Sequence, residues 1–166
     1  MYSTSYSSPL GEMMIASDGE AVCGVWFFGQ KHFPSDDFTR NDALAIFKKV
    51  KQWLDDYFNG LNPKIDFKIK PEGNDFRLKV WKILCEIPYG ETLTYGEIAS
   101  RISASMSAQA VGGAVGRNPI AILIPCHRVL GSDGKLTGYA GGTDKKAYLL
   151  KLEGITFLKS NNNLNG

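Results

Sequence analysis

The segment around which the chain is organised reads Arg117-Asn-Pro-Ile-Ala-Ile-Leu-Ile-Pro-Cys-His-Arg-Val129. Its apolar run, Ile120 to Ile124, is too short for an amphipathic helix and lies between Pro119 and Pro125, which end helices. We therefore predict a buried extended segment. Such a segment, anchored in the core, would hold the three polar residues that follow it in fixed positions: Cys126, His127 and Arg128.

These three residues carry side chains suited to nucleophilic chemistry. A cysteine is a nucleophile as its thiolate, and a neighbouring imidazole or guanidinium lowers the thiol pKa. Adjacent residues of a strand point to opposite faces, so His127 would reach the Cys126 sulfur only through a turn or a bridging water. Alternatively, Cys126 is a small buried apolar residue and His127 a satisfied surface histidine, because free cysteines are often buried. The tripeptide alone leaves both interpretations open.

Length and composition exclude several classes of protein. The 166 residues, 43% of them hydrophobic, can bury the core of one domain or of two small ones. No apolar run approaches the roughly 18 residues of a membrane span, and the N-terminus lacks the basic and apolar regions of a signal peptide. We therefore expect a cytoplasmic protein without membrane contact. Three dispersed cysteines argue against a disulfide framework, and two histidines without a Cys-x-x-Cys pair argue against a metal site.

Charge is unevenly distributed along the chain. The formal net charge is +2, but residues 71–166 carry 11 Lys and Arg against 8 Asp and Glu, an excess of +3. This excess is a weak indication of a polyanionic partner.

The first 73 residues show the patterns of strands and one helix. Alternation and apolar runs predict three strands of a small antiparallel meander: residues 2–6, 13–16 and 22–28. Apolar residues at spacings of three and four predict a helix from about Asn41 to Asn59-Gly60. A short strand is predicted at 65–69, and Pro71-Glu72-Gly73 is typical of a domain boundary.

After residue 73 the periodicity is helical, and it predicts a helix from Asn74 to Ile87. Thr94 and Glu97 fit a capping box, in which each side chain bonds the backbone N–H of the other, so a further helix starts there and runs to about Ile102. A four-residue turn and a helix over about 107–116 follow. This succession is typical of a helix-turn-helix unit.

The second helix of this unit consists largely of small residues. Gly112 and Gly113 in its interior each cost about 1 kcal/mol relative to alanine. Close packing by another helix would offset that cost, and so would close approach of a nucleic acid. Composition favours packing and leaves the second alternative open.

A loop and a final helix complete the chain. The loop over 130–137 contains the turn Ser132-Asp133-Gly134, and Tyr139 lies between glycines, which permit tight turns or close approach to a ligand. The final helix is predicted from Thr143 to Glu153, ended by Gly154. A helix dipole disfavours an anion at this end, so Glu153 is either an exposed residue or bound to a cation such as His127.

Taken together, these residues resemble the methylated-DNA–protein-cysteine methyltransferases, also called O6-alkylguanine-DNA alkyltransferases. The resemblance covers nearly the whole chain. The motifs that carry it are Ser8-Pro9-Leu10-Gly11, Ile87-Pro88-Tyr89-Gly90, Thr94-Tyr95-Gly96-Glu97-Ile98-Ala99, Ala110-Val111-Gly112-Gly113-Ala114, Arg117-Asn118-Pro119, Pro125-Cys126-His127-Arg128-Val129, and Gly138-Tyr139 with Gly141-Gly142.

The resemblance implies an α+β protein with three parts. These are an N-terminal ribonuclease-H-like α/β domain at 1–71, a C-terminal winged-helix-like domain with a helix-turn-helix at 72–160, and a disordered tail at 161–166. It implies stoichiometric DNA repair: a methyl or other alkyl group passes from O6-alkylguanine, and from O4-methylthymine, in double-stranded DNA to the protein's own cysteine after the base has been flipped out. We further expect a monomer without a cofactor or a metal.

The family's residue roles map onto this sequence by position. Cys126 would take the alkyl group, His127 would act through water as its base, Glu153 would orient His127, and Asn118 would support the turn. Tyr95 would help to rotate the nucleotide and donate a proton to the departing guanine. The residues implied to contact DNA are Tyr95, Gly96, Gln109, Arg117, Ser132 and Tyr139. Gln109 stands where the family has an intercalating arginine, and the zinc ligands of some relatives have no counterpart here.

Three alternatives come from other functional classes. A non-catalytic reader of alkylated DNA would lack the cysteine, so Cys126 argues against it. A helix-turn-helix regulator would need a dimerising element, for which the sequence offers no candidate helix. A Cys-His-Glu hydrolase would turn over repeatedly, whereas the thioether formed by alkyl transfer has no evident route of release.

Overall fold

The computed structural model describes residues 1–159, so the tail predicted at 161–166 lies outside the described residues. The chain divides into two units, Met1–Gly73 with Pro119–Leu123, and Asn74–Asn118 with the chain from Ile124 onwards. Both helices and small sheets are present, which confirms the α+β class. Within residues 1–159, no helix combines the length and apolar character needed to cross a membrane.

The first unit is built on a four-stranded sheet in the order β3-β2-β1-β4. Its strands are β1 (Tyr2–Ser8), β2 (Gly11–Ser17), β3 (Val22–Phe27) and β4 (Thr39–Arg40). Strands β1 to β3 pair antiparallel in succession, which confirms the predicted meander. Strand β4 pairs parallel with β1 and was not predicted, because two residues are too few to show a periodicity.

Helix α1 (Ala45–Phe58) begins four residues later than the predicted start at Asn41. The Asn41 side chain accepts a hydrogen bond from the backbone N–H of Ala43 at 3.1 Å, and this local turn competes with the first turn of a helix. The strand predicted at 65–69 is wrong: only Ile69 forms a bridge, with Val22. Ile65 is 39% exposed, so the alternation at 65–69 does not correspond to a buried sheet face.

Burial of Ile120 to Ile124 is confirmed, but their extended conformation is wrong. Ile120 forms a parallel bridge with Val25 of β3, flanked by two backbone hydrogen bonds of 2.9 Å, Val25 N–H to the Pro119 carbonyl and Ala121 N–H to the Val25 carbonyl. From Ala121 the chain turns, with Ile122 at a φ of +70°. A buried turn and a buried strand give the same apolar run, so the pattern could not separate them.

Within the described residues, the second unit contains four α-helices and a two-stranded parallel sheet. These elements are α2 (Asp75–Cys85), β5 (Leu93–Thr94), α3 (Tyr95–Ile102), α4 (Ala108–Gly116), β6 (Val129–Leu130) and α5 (Thr143–Leu152). The capping box is confirmed: the N–H of Glu97 donates to Thr94 Oγ1 at 3.1 Å, and the N–H of Thr94 donates to Glu97 Oε1 at 2.9 Å.

Two contacts fix the helix-turn-helix formed by α3 and α4. The indole N–H of Trp81 in α2 donates to the Ala114 carbonyl of α4 at 2.9 Å. Strand β5, which leads directly into α3, pairs with β6, so Thr94 lies opposite Leu130. Because β6 follows directly after Cys126–Arg128, this pairing brings the start of α3 close to the predicted nucleophile.

Candidate active site

Cys126 begins a turn of 3-10 helix (Cys126–Arg128), not the end of a strand. Its N–H donates to the carbonyl of Ile124 at 2.8 Å, and the side-chain amide of the buried Asn118 donates to the same carbonyl, also at 2.8 Å. The structure therefore brings Asn118 to the turn that carries the cysteine.

Burial governs the acidity of the Cys126 thiol. The residue is 7% exposed, and desolvation raises the pKa of the thiol above its ordinary value. The strongest opposing influences are a hydrogen bond with the Asn118 side chain, the positive charge of Lys146 and a hydrogen bond with the Tyr139 side chain. The sequence predicted that His127 and Arg128 would lower this pKa; the main groups that do so lie elsewhere in the chain.

Glu153 is buried and accepts hydrogen bonds from two side chains and one backbone group. Its Oε2 lies 2.6 Å from His127 Nε2, and its Oε1 accepts from Arg128 Nε at 2.8 Å and from the Gly90 N–H at 3.0 Å. Burial opposes the charge of this carboxylate, but His127 and Arg128 outweigh burial and lower the Glu153 pKa to about 2. Of the two alternatives for Glu153, the structure shows the one in which it binds a cationic partner.

His127 is fully buried, and this burial lowers its pKa even though Glu153 acts in the opposite direction. The imidazole is therefore neutral at neutral pH. A carboxylate can only accept, so Nε2 carries the hydrogen toward Glu153 and Nδ1 carries the lone pair. This tautomer gives His127 one basic nitrogen that faces away from the carboxylate.

Arg128 donates hydrogen bonds to the Glu153 carboxylate and to the backbone carbonyl of Ile87. Its Nη2 donates to Glu153 Oε2 at 3.2 Å, and its Nη1 donates to the Ile87 carbonyl at 2.7 Å. The guanidinium carbon also lies 5.7 Å from the centre of the Tyr89 ring. Arg128 therefore fixes the carboxylate that binds His127.

Tyr95, the first residue of α3, is connected to the buried Lys146 through a threonine. Its hydroxyl lies 2.8 Å from Thr137 Oγ1, and the same Oγ1 accepts a hydrogen bond from Lys146 Nζ at 2.9 Å. Lys146 is 0% exposed, and desolvation lowers its pKa to about 8. Burial raises the pKa of Tyr95, although the hydrogen bond with Thr137 opposes that shift.

Both halves of the chain match domain models of the same protein family. Residues 1–71 match the family model "6-O-methylguanine DNA methyltransferase, ribonuclease-like domain", and residues 75–155 match "6-O-methylguanine DNA methyltransferase, DNA binding domain". The chain belongs to this family. The match confirms the resemblance inferred from the motifs.

Relatives extend over nearly the full length of the chain. Methylated-DNA–protein-cysteine methyltransferases from Haemophilus influenzae and Methanosarcina acetivorans are 45% and 47% identical, covering 95% and 93% of this chain and 89% and 99% of theirs. A solved structure described as Mycobacterium tuberculosis OGT in complex with DNA superposes with a TM-score of 0.86 at 41% identity, covering 92% of each chain.

The residues that the methyltransferase family implies for DNA contact lie at three places in the second unit. Gly96 and Gln109 are exposed in the first turns of α3 and α4, and Arg117 is exposed directly after α4. Ser132 is exposed in a short 3-10 turn, and Tyr139 is half-buried in the loop before α5. Their contribution to DNA binding stays a prediction.

The two glycines of α4 have different surroundings. A Cβ on Gly112 would lie 3.7 Å from the ring of Tyr95, whereas a Cβ on Gly113 would have no atom within 4 Å. Packing therefore accounts for a small residue at Gly112. It does not account for Gly113.

Three residues of the site were not predicted from the sequence: Arg128 as a partner of Glu153, Thr137 and Lys146. For Lys146 a signal was present, because Leu149, Leu150 and Glu153 follow it at intervals of three, four and seven residues, which places them on one helix face. A lysine on the buried face of a helix is unusual enough to mark a site. Thr137 carries no such pattern.

Proposed function

We propose that this chain repairs DNA by accepting an alkyl group from O6-alkylguanine on Cys126. The observation that carries the proposal is the buried His127–Glu153 pair on the turn of Cys126, within the part of the chain that matches the family's DNA binding domain. We further propose that residues 1–71 form a ribonuclease-H-like domain and residues 72–160 a winged-helix-like alkyl-acceptor domain. The protein would act as a cytoplasmic monomer without a cofactor or a metal.

Activation of the thiol follows from the charges around it. A buried thiol stays protonated until its proton can be transferred, and the lone pair on His127 Nδ1 can take that proton through a water molecule. The imidazolium so formed is stabilised by Glu153, whose charge persists because its pKa is about 2. Cys126 Sγ then attacks the alkyl carbon, forming the S–C bond as the C–O6 bond breaks.

Departure of guanine requires a proton on the base. Tyr95 supplies it in the proposed scheme, and the repaired guanine stays in the DNA. The thioether on Cys126 has no activated leaving group, so each protein molecule acts once. The same chemistry applies to O4-methylthymine.

Access to the base requires its rotation out of the helix, because the alkyl carbon is otherwise enclosed in stacked DNA. We assign this step to the helix-turn-helix, with the small residues of α4 lying in the minor groove and Gln109 entering the vacated position. Ser132 and Tyr139 would line the pocket that receives the flipped base, and Gly96 and Arg117 would contact the DNA beside it.

Methyl transfer from labelled duplex DNA tests this proposal. The parent and Cys85→Ser should become labelled, whereas Cys126→Ser should bind the same DNA and stay unlabelled. Cys85 is the matched control because it is the exposed cysteine among the three. Labelling of Cys126→Ser would overturn the assignment.

A further inference from the structure

The first unit contains a cavity of about 460 Å³, whose lining residues take no part in the active site. Trp26 of β3 and Phe38, which precedes β4, give this cavity aromatic walls. Asp36, Asp37 and Glu72 also line it, and all three are exposed. The volume lies in the range of pockets that bind small organic groups. Aromatic walls and carboxylates together attract an organic cation.

The position of Trp26 in the cavity wall depends on a glycine two residues before it. A Cβ on Gly24 would overlap the six-membered ring of Trp26, so the indole lies directly over the Gly24 backbone. Phe33 and Phe38 pack against the indole, with ring centres 6.2 and 6.1 Å from its own. The indole is therefore held in place, and Trp26 is only 8% exposed.

The indole N–H of Trp26 has no hydrogen-bond acceptor within residues 1–159. The two other tryptophans differ, because Trp53 donates to the Pro63 carbonyl at 3.1 Å and Trp81 donates to the Ala114 carbonyl at 2.9 Å. Buried donors are rarely left without an acceptor. Since Trp26 lines the cavity, an occupant that presents a carbonyl oxygen would complete this hydrogen bond.

The three carboxylates of the cavity have no cationic partner among the described residues. They form no ion pair with a basic side chain, nor with the N-terminal ammonium group of Met1, which also lines the cavity. Their negative charge disfavours DNA as an occupant, because it repels phosphates. A guanidinium group fits better, since it is planar, stacks on aromatic faces and donates paired hydrogen bonds to carboxylates.

The unpaired indole N–H separates a peptide from free arginine. Free arginine carries its own carboxylate, which the three carboxylates of the cavity would repel. An arginine within a peptide carries a neutral amide carbonyl instead, and this is the acceptor that Trp26 lacks. The cavity therefore favours an arginine that belongs to a protein segment.

We propose that this cavity binds an arginine side chain of a partner protein together with a neighbouring peptide carbonyl. The guanidinium is held by the aromatic walls and the carboxylates, and the Trp26 N–H donates to the carbonyl. The site is a protein-docking site on the first unit. It goes beyond the proposed DNA repair function and does not depend on it.

Nuclear magnetic resonance of the isotope-labelled protein tests this proposal, with the blocked peptide acetyl-Gly-Arg-Gly-amide as the probe. The indole N–H resonance of Trp26, assigned with Trp26→Phe, should shift saturably as the peptide is added. The indole resonances of Trp53 and Trp81 should not move, because both groups already have acceptors. The same peptide with citrulline, which has the shape of arginine without its charge, should bind at least about threefold more weakly.

A paired substitution tests the carboxylates. Asp36→Asn with Asp37→Asn should weaken peptide binding by about threefold to tenfold, the effect of two exposed ion pairs. Glu20→Gln with Asp66→Asn is the matched control, because it removes two exposed carboxylates of the same unit that do not line the cavity. The control should bind the peptide like the parent.

Four results would overturn the proposal. They are a Trp26 resonance that does not move, equal binding of the arginine and citrulline peptides, equal weakening by the two paired substitutions, and binding of free arginine as tight as that of the peptide. The last result would identify a small molecule as the occupant. If the paired substitution at 36 and 37 unfolds the first unit, seen as a change at Trp53, Glu72→Gln removes one carboxylate and should also weaken binding.

Discussion

At the scale of single residues, the chemistry of the site depends on pairs of buried groups. Burial of Cys126 disfavours its thiolate, and burial of His127 disfavours its charged form, so both are neutral before reaction. Transfer of the thiol proton to His127 creates a negative charge on Cys126 and a positive charge on His127. Lys146 stabilises the first and Glu153 the second. Reactivity thus depends on His127, the next residue in the chain, and on groups that only the fold brings to the site, Glu153 and Lys146.

The pairing of Glu153 with His127 predicts that Glu153→Gln slows alkyl transfer with little change in DNA affinity. The neutral amide stabilises the His127 imidazolium less than the carboxylate does, so the thiol proton is held more tightly, whereas contacts with phosphates are unaffected. Single-turnover rates and equilibrium binding measure the two effects.

Glu86→Gln is the matched control, because Glu86 also follows the last turn of a helix but is exposed. It should leave both the transfer rate and the affinity unchanged. Equal single-turnover rates for Glu153→Gln and the parent would show that Glu153 has no part in activating Cys126.

Glu153 should also make stability depend on pH. Its pKa of about 2 in the folded chain lies below the unfolded value of about 4.3, so its stabilising effect is complete above about pH 5 and is lost as the pH falls toward 2. Glu153→Gln should therefore lower the free energy of unfolding at pH 7 by on the order of 2 kcal/mol, the value of hydrogen bonds to charged groups.

Urea denaturation at pH 7 and pH 3 measures this dependence. The difference between Glu153→Gln and the parent should shrink at pH 3. An equal difference at both pH values would mean that the carboxylate charge does not stabilise the fold.

At the scale of secondary-structure elements, the helix-turn-helix was predictable and the turn before the nucleophile was not. N-cap side chains mark the starts of α3 and α4, because Thr94 and Ser107 accept hydrogen bonds from backbone N–H groups three residues later. Such local signals are present in the sequence itself. The turn at Ile122 depends on pairing with β3, nearly a hundred residues earlier, and no local pattern records that pairing.

Gln109, in the first turn of α4, should act as a weaker wedge than the arginine that the family resemblance leads us to expect. A glutamine can fill the vacated base position and form hydrogen bonds, but it has no charge and a smaller planar group. Gln109→Ala should slow repair of duplex DNA more than repair of single-stranded DNA, and Gln109→Arg should speed the duplex reaction.

Single-turnover rates on both substrates test the wedge, with Gln52→Ala on α1 as an exposed helical glutamine for control. The control should leave both rates unchanged. If Gln109→Ala slows both reactions equally, or neither, Gln109 does not fill the gap.

The open surroundings of Gly113 predict opposite effects on stability and on DNA binding. Gly113→Ala should raise the free energy of unfolding by about 1 kcal/mol, because alanine is the better helix former and its Cβ meets no atom. The same methyl group should weaken DNA binding if α4 approaches the DNA closely there. Unchanged affinity in Gly113→Ala would show that nucleic acid does not account for this glycine.

At the scale of the whole molecule, the two family matches follow the change in sequence pattern near residue 73. The turn residues Pro71-Glu72-Gly73 and the helical period that begins at Asn74 are the patterns on which the predicted boundary rests. They did not predict that Pro119–Leu123 pairs within the first unit, since the chain leaves and re-enters the second unit within a few residues. The roles of Lys146 and Thr137 were not predicted for a related reason. Both depend on contact with Tyr95, more than forty residues away in sequence.

The small positive charge excess of residues 71–166 predicts a low affinity for DNA. An excess of +3 over residues 71–166 allows few phosphate contacts, so we expect modest affinity that is indifferent to flanking sequence. The logarithm of the affinity should fall with the logarithm of salt concentration by about 0.9 per phosphate neutralised, giving a shallow slope. A slope near −10, as for a large repressor, would contradict this expectation.

The central claim, that Cys126 alone accepts one alkyl group, is tested most directly by mass spectrometry of the intact protein after incubation with excess duplex DNA containing O6-methylguanine. We expect a gain of one methyl group per chain, found on the peptide with Cys126, however long the incubation. Cys85 is an internal control, because this exposed thiol would be the first modified by non-specific alkylation. Methyl groups on Cys23 or Cys85 would show that Cys126 is not the sole acceptor, and more guanines repaired than protein chains present would show that the protein turns over.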